Sequence, residues 1–195
     1  MRWAKFNCSE RGFSLIEVVF SLSILMAVCL GVAQLFTVAT RANLGAKGQT
    51  STSILAAQKM EQLRGLTWGF DDTGLGLPLT DTTTDLTQDP PTNSGSGLNP
   101  SPPGTLQANT AGFVDYLDQY GNWVGGGAST PPPTAYYIRR WSIEPLPTNP
   151  NNTLIFQVMV TTVTTEGGAN RATNQARWRL TNDAWIVSVK TRKAS

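Results

Sequence analysis

The sequence contains no histidine, and this absence excludes several kinds of chemistry. Histidine is the commonest general base at neutral pH and the commonest metal ligand in proteins. A hydrolase of the Ser-His-Asp or Cys-His kind cannot be built without it. We therefore expect a protein that is not an enzyme and that holds no cofactor.

The sequence also has few cysteines and a small net charge. Both cysteines, Cys8 and Cys29, lie within the first 29 residues, so no disulfide can cross-link the distal part of the chain. Residues 13–195 contain equal numbers of acidic and basic side chains, and the net charge of +2 comes from residues 1–12. No specific nucleic acid is expected as a partner, because nucleic-acid-binding domains carry clustered positive charge.

One apolar run near the N-terminus is long enough to cross a bilayer. Residues 18–39 carry no charged side chain, and a helix of this length spans the roughly 30 Å of a hydrocarbon core. The basic residues of the N-terminal segment all precede the run, and the positive-inside rule keeps such a segment in the cytoplasm. We therefore expect one membrane pass, with the distal domain outside the cytoplasm.

Three ordinary membrane signals compete for this run. A secretory signal peptide has an apolar core of about 7–15 residues, which is shorter than the run observed. A lipoprotein signal would use Cys29 and needs a small residue before it, but Val28 stands there. A plain signal anchor accounts for everything except Glu17, because a carboxylate at the centre of a membrane helix costs about 2.5–3.5 kcal/mol and needs a partner.

The residues around Glu17 supply such a partner. A short basic leader that ends in Gly12, followed by "FSLIEVV", closely resembles the class III signal of type IV pilins and pseudopilins. In that family, prepilin peptidase cuts after the glycine and methylates the new N-terminal amine. The resemblance implies cleavage between Gly12 and Phe13, N-methylation of Phe13, and a charge pair between that amine and Glu17 that fixes the register of assembly.

The resemblance also implies a fold, partners and a location. The partners are prepilin peptidase, other pilins or pseudopilins, the inner-membrane assembly platform and membrane lipid. The protein is placed in the bacterial inner membrane and then in a pilus or pseudopilus. Major pilins usually carry a helix-breaking proline where this sequence has Gln34, and this difference favours a minor pilin or a pseudopilin.

The chain divides into four parts. Residues 1–12 are the leader, residues 13–68 are predicted to form one helix that spans the membrane at about 13–39, and residues 69–134 form an irregular region. Residues 135–195 read as an antiparallel meander of about four strands, because β-branched and aromatic residues alternate between turn signals. The fold class is thus α+β and pilin-like, with a long helix, a Gly/Pro-rich loop and a sheet.

Two apolar patterns predict how the helix and the sheet pack together. An apolar stripe at spacings of three and four residues predicts the helix face toward the sheet. Alternation predicts the strand faces toward the helix. The stripe residues are Ser53, Ala56, Ala57, Met60 and Leu63, and the strand residues are Leu154, Phe156, Val158 and Val160 on one strand and Trp185, Val187 and Val189 on the last.

Residues 69–134 are rich in Gly, Pro, Thr, Asp, Asn and Ser, and such a composition does not form a core of its own. The pattern predicts long irregular loops around a short apolar island, "TAGFVDYLDQYGNWVG". The spacing of the aromatic residues in this island fits a helical turn or a strand and turn that caps the sheet. The sequence alone does not separate these two structures.

Polar clusters beyond the signal have ordinary interpretations. The loop acids are compatible with calcium, as in some pseudopilins, but solvated turns explain them equally well. Asp115 and Asp118 are interpreted as two exposed acids. The loop acids are Asp71, Asp72, Asp81, Asp85 and Asp89.

Two Arg/Trp clusters in the predicted sheet also have two interpretations. These clusters could stack on a glycan or on single-stranded DNA, but packing of the cations on the aromatic rings across an exposed sheet face is favoured. The clusters are Arg139 and Arg140 with Trp141, and Arg177 and Arg179 with Trp178.

The sequence predicts a structural subunit of a type IV pilus or a type II secretion pseudopilus, acting in initiation or at the tip. The alternative is a membrane-anchored adhesin or DNA-capture protein that uses the loop or the Arg/Trp face of the sheet. The two hypotheses differ in whether an accessible ligand surface exists in the distal domain.

Overall fold

The computed structural model describes residues 12–71, 74–164 and 183–192. These residues form one long helix and a set of antiparallel strands, an α+β pilin-like arrangement, and this confirms the predicted fold class. The elements are α1 (Leu15–Gly65), β1 (Trp68–Phe70), β2 (Pro78–Thr80), β3 (Thr84–Asp85), β4 (Thr92–Asn93), β5 (Val114–Leu117), β6 (Trp123–Gly126), β7 (Tyr137–Pro145), β8 (Thr153–Thr162) and β9 (Ala184–Thr191).

The helix α1 begins at Leu15 and ends at Gly65, so it lies inside the predicted range of residues 13–68 but is shorter at both ends. The helix continues through Gln34, where the family's major pilins usually have proline. By contacts the chain divides into two compact units, residues 1–44 and residues 45–195.

The larger unit is built on one five-stranded antiparallel sheet. The strand order is β6-β5-β7-β8-β9, and two small two-stranded sheets, β1-β2 and β3-β4, complete the unit within the described residues. Of the four strands predicted after residue 135, three correspond to β7, β8 and β9. The other predicted strand, residues 175–182, lies outside the described residues.

The core lies between one face of this sheet and the second half of α1. Ala56, Met60 and Leu63 are buried there as predicted, but Ser53 and Ala57 are exposed. The buried stripe is rotated toward Thr52, Leu55 and Lys59. The core residues contributed by the sheet are Leu117, Tyr137, Trp141, Ile143, Leu154, Phe156, Val158, Val160 and Ala184.

The predicted face of β8 is confirmed and that of β9 is wrong. Trp185, Val187 and Val189 are exposed, whereas Ala184 is buried and Ile186 packs against the core. The register explains the difference, because β8 and β9 pair Val158 with Ile186 and Val160 with Ala184. Residues directly opposite in an antiparallel pair share a face, so the even-numbered residues of β9 face α1.

Residues 69–134 contribute more to the sheet and the core than predicted. The apolar island forms β5 and β6, which resolves the open choice in favour of strands, and these extend the main sheet rather than cap it. Leu86 and Leu98, from the region predicted to be irregular, are buried in the main core. A composition of this kind does not form a core alone, and these loops instead complete a core that α1 and the sheet provide.

One close contact fixes the loop after β3 against β6. A Cβ atom at Gly126 would overlap the carbonyl oxygen of Thr87, so only glycine fits at this position. The same oxygen accepts a 2.8 Å hydrogen bond from the Trp123 indole nitrogen. The loop is therefore held on the edge strand of the sheet, and the carbonyl of Leu86 is turned toward α1.

The last strand fastens the end of α1. The Lys190 ammonium donates hydrogen bonds to the carbonyl oxygens of Arg64, at 2.6 Å, and Leu66. These bonds satisfy carbonyl groups that a helix C-terminus leaves without intrahelical partners. Arg192 lies over the Trp68 ring at 3.7 Å and donates to the carbonyl oxygen of Gly69. The C-terminal end of β9 thus joins α1 to the β1-β2 hairpin.

A fragment that begins at Gln49 is expected to fold on its own and to remain monomeric. It keeps every buried residue of α1, since the first of these is Thr52, and it lacks the apolar half of the helix. The check is far-ultraviolet circular dichroism together with sedimentation equilibrium. An unfolded fragment, or one that dimerises at micromolar concentration, would contradict this division of the chain.

Candidate functional site

The predicted cleavage site lies just before the start of α1. Gly12, Phe13 and Ser14 are outside the helix, and Phe13 is exposed. The carbonyl oxygen of Ser14 accepts hydrogen bonds from the backbone N–H groups of Glu17, at 2.9 Å, and Val18, at 3.2 Å. The peptide bond between Gly12 and Phe13 is therefore not enclosed in helical hydrogen bonding, a condition that a protease cleft requires. Residues 1–11 lie outside the described part of the chain.

Glu17 lies in the first turn of α1 and is exposed. Its carboxylate makes no hydrogen bond or ion pair with any other described residue. The N-terminus of a helix carries a partial positive charge that favours a carboxylate there. In the uncleaved chain Glu17 thus has a favourable helix position but no specific counter-charge among the described residues.

The first half of α1 is apolar and uncovered. Its large apolar side chains from Leu15 to Val38 are exposed, and among the described residues α1 is the one helix that is long and apolar enough to cross a membrane. Length and composition alone carry that statement, and signal sequences meet the same criteria. Small side chains such as Ala27, Gly31 and Ala33 interrupt the apolar surface and permit close helix packing.

A second group of charged residues is buried beneath the other half of α1. The Asp115 carboxylate on β5 accepts two hydrogen bonds from the Arg139 guanidinium on β7, at 2.8 and 2.7 Å. It also forms an ion pair with the Lys59 ammonium at 2.7 Å. All three side chains are about 1 % exposed. We call Lys59, Asp115 and Arg139 the buried charge cluster.

The buried charge cluster also contacts backbone and aromatic groups. The Lys59 ammonium donates a 2.6 Å hydrogen bond to the Leu86 carbonyl oxygen and lies 4.4 Å from the centre of the Trp141 ring. Both carboxylate oxygens of Asp115 are bound by the two cations and the side chain is about 1 % exposed, so it is closed to a ligand from solvent. The arrangement joins α1, a loop and two strands, and its chemistry is that of a structural ion cluster.

The cluster holds two positive charges and one negative charge, and this imbalance affects Lys59. Burial, and to a smaller extent Arg139, lowers the pKa of Lys59 to about 8 from its ordinary value of 10.5, although Asp115 acts in the opposite direction. Desolvation disfavours the charged ammonium, which explains the direction.

Stability is therefore expected to rise with pH above 8. Between pH 8 and 10.5 the unfolded chain keeps the proton on Lys59 while the folded chain loses it, so the unfolded state binds more protons and the free energy of unfolding increases. The full gain is at most about 3 kcal/mol. The measurement is urea unfolding of the fragment from Gln49 at several pH values. Lys59→Met is the reference, because subtracting its free energy of unfolding from that of the wild type removes the contribution of all other titrating groups. If this difference does not change between pH 8 and 10.5, the lowered pKa of Lys59 is wrong.

The structure corrects two interpretations of polar residues. Arg139, Arg140 and Trp141 are predicted to lie on an exposed sheet face, but all three are buried. The two arginines have partners inside the domain, because Arg139 pairs with Asp115 and Arg140 donates to the Asn109 side-chain oxygen at 2.9 Å. Asp115, interpreted as an exposed acid, is fully buried for the same reason. Arg139 and Arg140 therefore cannot form the exposed ligand-binding surface that the alternative hypothesis requires. The second Arg/Trp cluster lies outside the described residues.

Three other acids accept hydrogen bonds within turns. Asp118 accepts hydrogen bonds from the backbone N–H groups of Tyr120 and Asn122, and Asp81 and Asp85 accept similar bonds within their own loop. Hydrogen bonds from Thr83 and Thr84 lower the pKa of Asp81, although burial acts against them. No cluster of three or more potential metal-binding side chains occurs among the described residues, and calcium binding by the loop stays a prediction. Asp72 lies outside the described residues.

Sequence reasoning missed Lys59, although a signal was present. Lys59 is four residues from both Leu55 and Leu63, so it falls inside the buried stripe once the stripe is centred correctly. A lysine in an apolar stripe requires a buried acid, and Asp115 is an acid in the apolar island. The pairing itself depends on strand register.

Comparison with known proteins bears on the N-terminal segment. Residues 7–33 match the family model described as the prokaryotic N-terminal methylation motif. This match identifies a class III, prepilin-type signal and supports a pilin-like protein. Such a signal implies processing by prepilin peptidase, membrane anchoring and assembly with other pilins. No match was found among curated proteins or among solved structures.

Proposed function

We propose that this chain is a minor pilin or a pseudopilin, a structural subunit that is inserted in the bacterial inner membrane and cleaved between Gly12 and Phe13. The processed subunit, methylated at Phe13, then packs its apolar helix into a type IV pilus or a type II secretion pseudopilus, at initiation or at the tip. The observation that carries the proposal is the methylation motif at residues 7–33, joined to an uncovered apolar helix half and a separate α+β unit.

Several features support the finer parts of this proposal. The apolar half of α1 exposes large side chains that only lipid or neighbouring helices could cover. The helix continues through Gln34 without the proline of major pilins, and this favours a minor pilin or a pseudopilin. The leader charge favours a cytoplasmic N-terminus and a distal domain outside the cytoplasm.

The proposal is tested by determining the N-terminus of the protein after isolation from the membranes of a host that has prepilin peptidase. The mature chain is expected to begin at Phe13 and to carry an N-methyl group. Intact-mass spectrometry measures both features. Gly12→Ala is expected to be retained as precursor, because a Cβ atom at this position hinders entry of the backbone into the protease cleft.

A matched control is Gly31→Ala, which makes the same change inside the apolar helix, where a Cβ atom meets no other atom within 4 Å. Its processing is expected to equal that of the wild type. A wild-type chain that keeps its first 12 residues, or that is cut near Ala39, would refute the proposed processing.

A further inference from the structure

Residues 45–51 of α1 lie between the apolar run and the part of the helix that packs on the sheet. The uncharged run ends at residue 39 and is followed by Arg41, whereas the buried side chains of α1 begin at Thr52. Within the segment, the side chains of residues 46, 47, 49 and 50 are exposed. Opening the helix here would uncover little apolar surface, and this is the condition under which a protein unfolds locally at low cost.

The amino acids of this segment are unfavourable for a helix. The segment contains Gly45 and Gly48 and runs into four consecutive hydroxyl residues, Thr50 to Ser53. Glycine is the poorest helix former after proline, and serine and threonine rank well below alanine. Packing does not require the glycine at position 45, because a Cβ atom there would meet no other atom within 4 Å. Glycine together with serine is one of the usual causes of a sharp bend in a helix.

The same residues are those that end one helix and begin another. Glycine is favoured just after the C-terminus of a helix, because that position often takes a left-handed backbone conformation. Serine and threonine are favoured at the N-cap, where the hydroxyl oxygen accepts a hydrogen bond from a free backbone N–H group. In this chain Gly45 and Gly48 precede Thr50 and Ser51, so a stop signal is followed by a start signal. This local preference for two helices conflicts with the continuous helix, and such conflicts are typical of functional sites.

Hydroxyl side chains already share the backbone carbonyl groups of this segment. The Thr50 hydroxyl donates to the Ala46 carbonyl oxygen at 2.9 Å. The Thr52 hydroxyl lies within hydrogen-bond distance of the carbonyl oxygens of Gly48, at 3.2 Å, and Gln49, at 3.1 Å. Hydrogen bonds of this kind compete with the backbone N–H group for the carbonyl oxygen and often bend a helix. The backbone hydrogen bonds that opening would break are therefore weakened in the continuous helix.

We propose that residues 45–51 form a hinge at which α1 opens reversibly into two helices. In the open form the first helix ends at Gly45 or Gly48, and the second begins with Thr50 or Ser51 as its N-cap. The closed form is the continuous helix of the structure. Because the hinge lies beyond the apolar run, opening lets the distal domain change its orientation while the first half of α1 stays in the membrane. This inference concerns the helix itself and does not depend on the assembly function proposed above.

The test is the distance between two nitroxide labels on either side of the hinge, measured by double electron–electron resonance on the full chain in lipid nanodiscs. The labels are attached through Thr40→Cys and Gln58→Cys, at exposed positions, after Cys8→Ser and Cys29→Ala remove the native thiols. A continuous helix holds these two backbone positions about 27 Å apart on one face. The chain with both glycines is expected to give a broad distance distribution that extends to shorter values, because bending at the hinge brings the labels together.

The matched control is a label pair at Phe20→Cys and Val38→Cys, which has the same spacing within the apolar half of α1 and is also exposed. Its distance distribution is expected to be narrow. Gly45→Ala together with Gly48→Ala is expected to narrow the distribution across the hinge, because each replacement lowers the ratio of open to closed chains about fivefold. Two results would each overturn the proposal: a distribution across the hinge that is as narrow as that of the control pair, or one that stays equally broad in the double alanine variant.

Discussion

Asp115→Asn is expected to lower the free energy of unfolding of the distal domain by about 3–5 kcal/mol, because it removes the one carboxylate that separates two buried cations. Lys59 and Arg139 both contact Asp115 at 2.7 Å and are both about 1 % exposed. Without the carboxylate, two positive charges remain in a region of low dielectric with only neutral partners. A loss of this size is a large fraction of the total stability of a domain, about 5–15 kcal/mol.

The measurement is chemical unfolding of the fragment from Gln49, followed by tryptophan fluorescence. Glu61→Gln is the control, since it removes the acid of an exposed pair in which Arg64 and Glu61 are 54 % and 71 % exposed. Exposed pairs of this kind contribute at most about 1 kcal/mol. A loss for Asp115→Asn that is no greater than that of the control would show that the cluster does not hold the fold together.

A second substitution separates charge repulsion from lost hydrogen bonds. Lys59→Met places an unbranched apolar side chain in a stripe of Leu55, Met60 and Leu63 and removes the surplus positive charge. In the double variant Lys59→Met with Asp115→Asn, part of the loss is therefore expected to be recovered, with a coupling energy between the two sites of about 1–3 kcal/mol. Strictly additive effects would mean that repulsion between the cations does not contribute.

The parts of the fold that sequence reasoning predicted correctly depend on local patterns. The presence of one long, uninterrupted helix follows from helix-forming residues that continue to Gly65, and the buried face of β8 follows from strict alternation in a strand of ten residues. The signal at residues 7–33 is likewise a local motif, defined by a glycine, a carboxylate and the length of the apolar run that follows.

The parts that failed depend on contacts between distant residues. Both faces of β9 carry apolar residues, so alternation alone could not choose between Trp185 and Ile186; pairing with β8 made that choice. Asp115 and Arg139 read as surface residues because charged side chains are rarely buried unless paired, and their pairing depends on the register of β5 and β7.

Glu17→Gln is expected to abolish most incorporation of the subunit into a filament while leaving membrane insertion and cleavage intact. Cleavage after Gly12 would create a positive amine on Phe13, one helical turn before Glu17, and in a bundle of such helices the amine and the carboxylate neutralise each other. The helix geometry fits this role. Glu17 is exposed in the first turn of α1 and makes no pair with any other described residue, so its carboxylate is available to its own amine or to that of a neighbouring subunit.

Removing the charge of Glu17 is expected to have opposite effects in a simple membrane anchor and in an assembling subunit. For an anchor, replacing Glu17 with a neutral residue removes a desolvation cost of up to about 3 kcal/mol, so insertion would improve. For an assembling subunit, the same change leaves the amine of Phe13 buried without a counter-charge, and breaking a buried pair costs about 3–5 kcal/mol. At about 1.4 kcal/mol for each factor of ten, this cost corresponds to a loss of at least a hundredfold in the equilibrium for adding a subunit.

The measurement is the fraction of processed subunit recovered with sheared filaments, or cross-linked to other pilins, relative to the processed subunit in the membrane. Thr37→Val is the matched control, since it makes the same apolar segment less polar without altering the first turn of the helix. Thr37 donates only to the Ala33 carbonyl oxygen within the helix, so its loss is expected to leave recovery unchanged. Equal recovery of wild type and Glu17→Gln, with both chains correctly processed, would mean that Glu17 does not set the register. The assembly mechanism would then have to rest on packing of the apolar side chains alone.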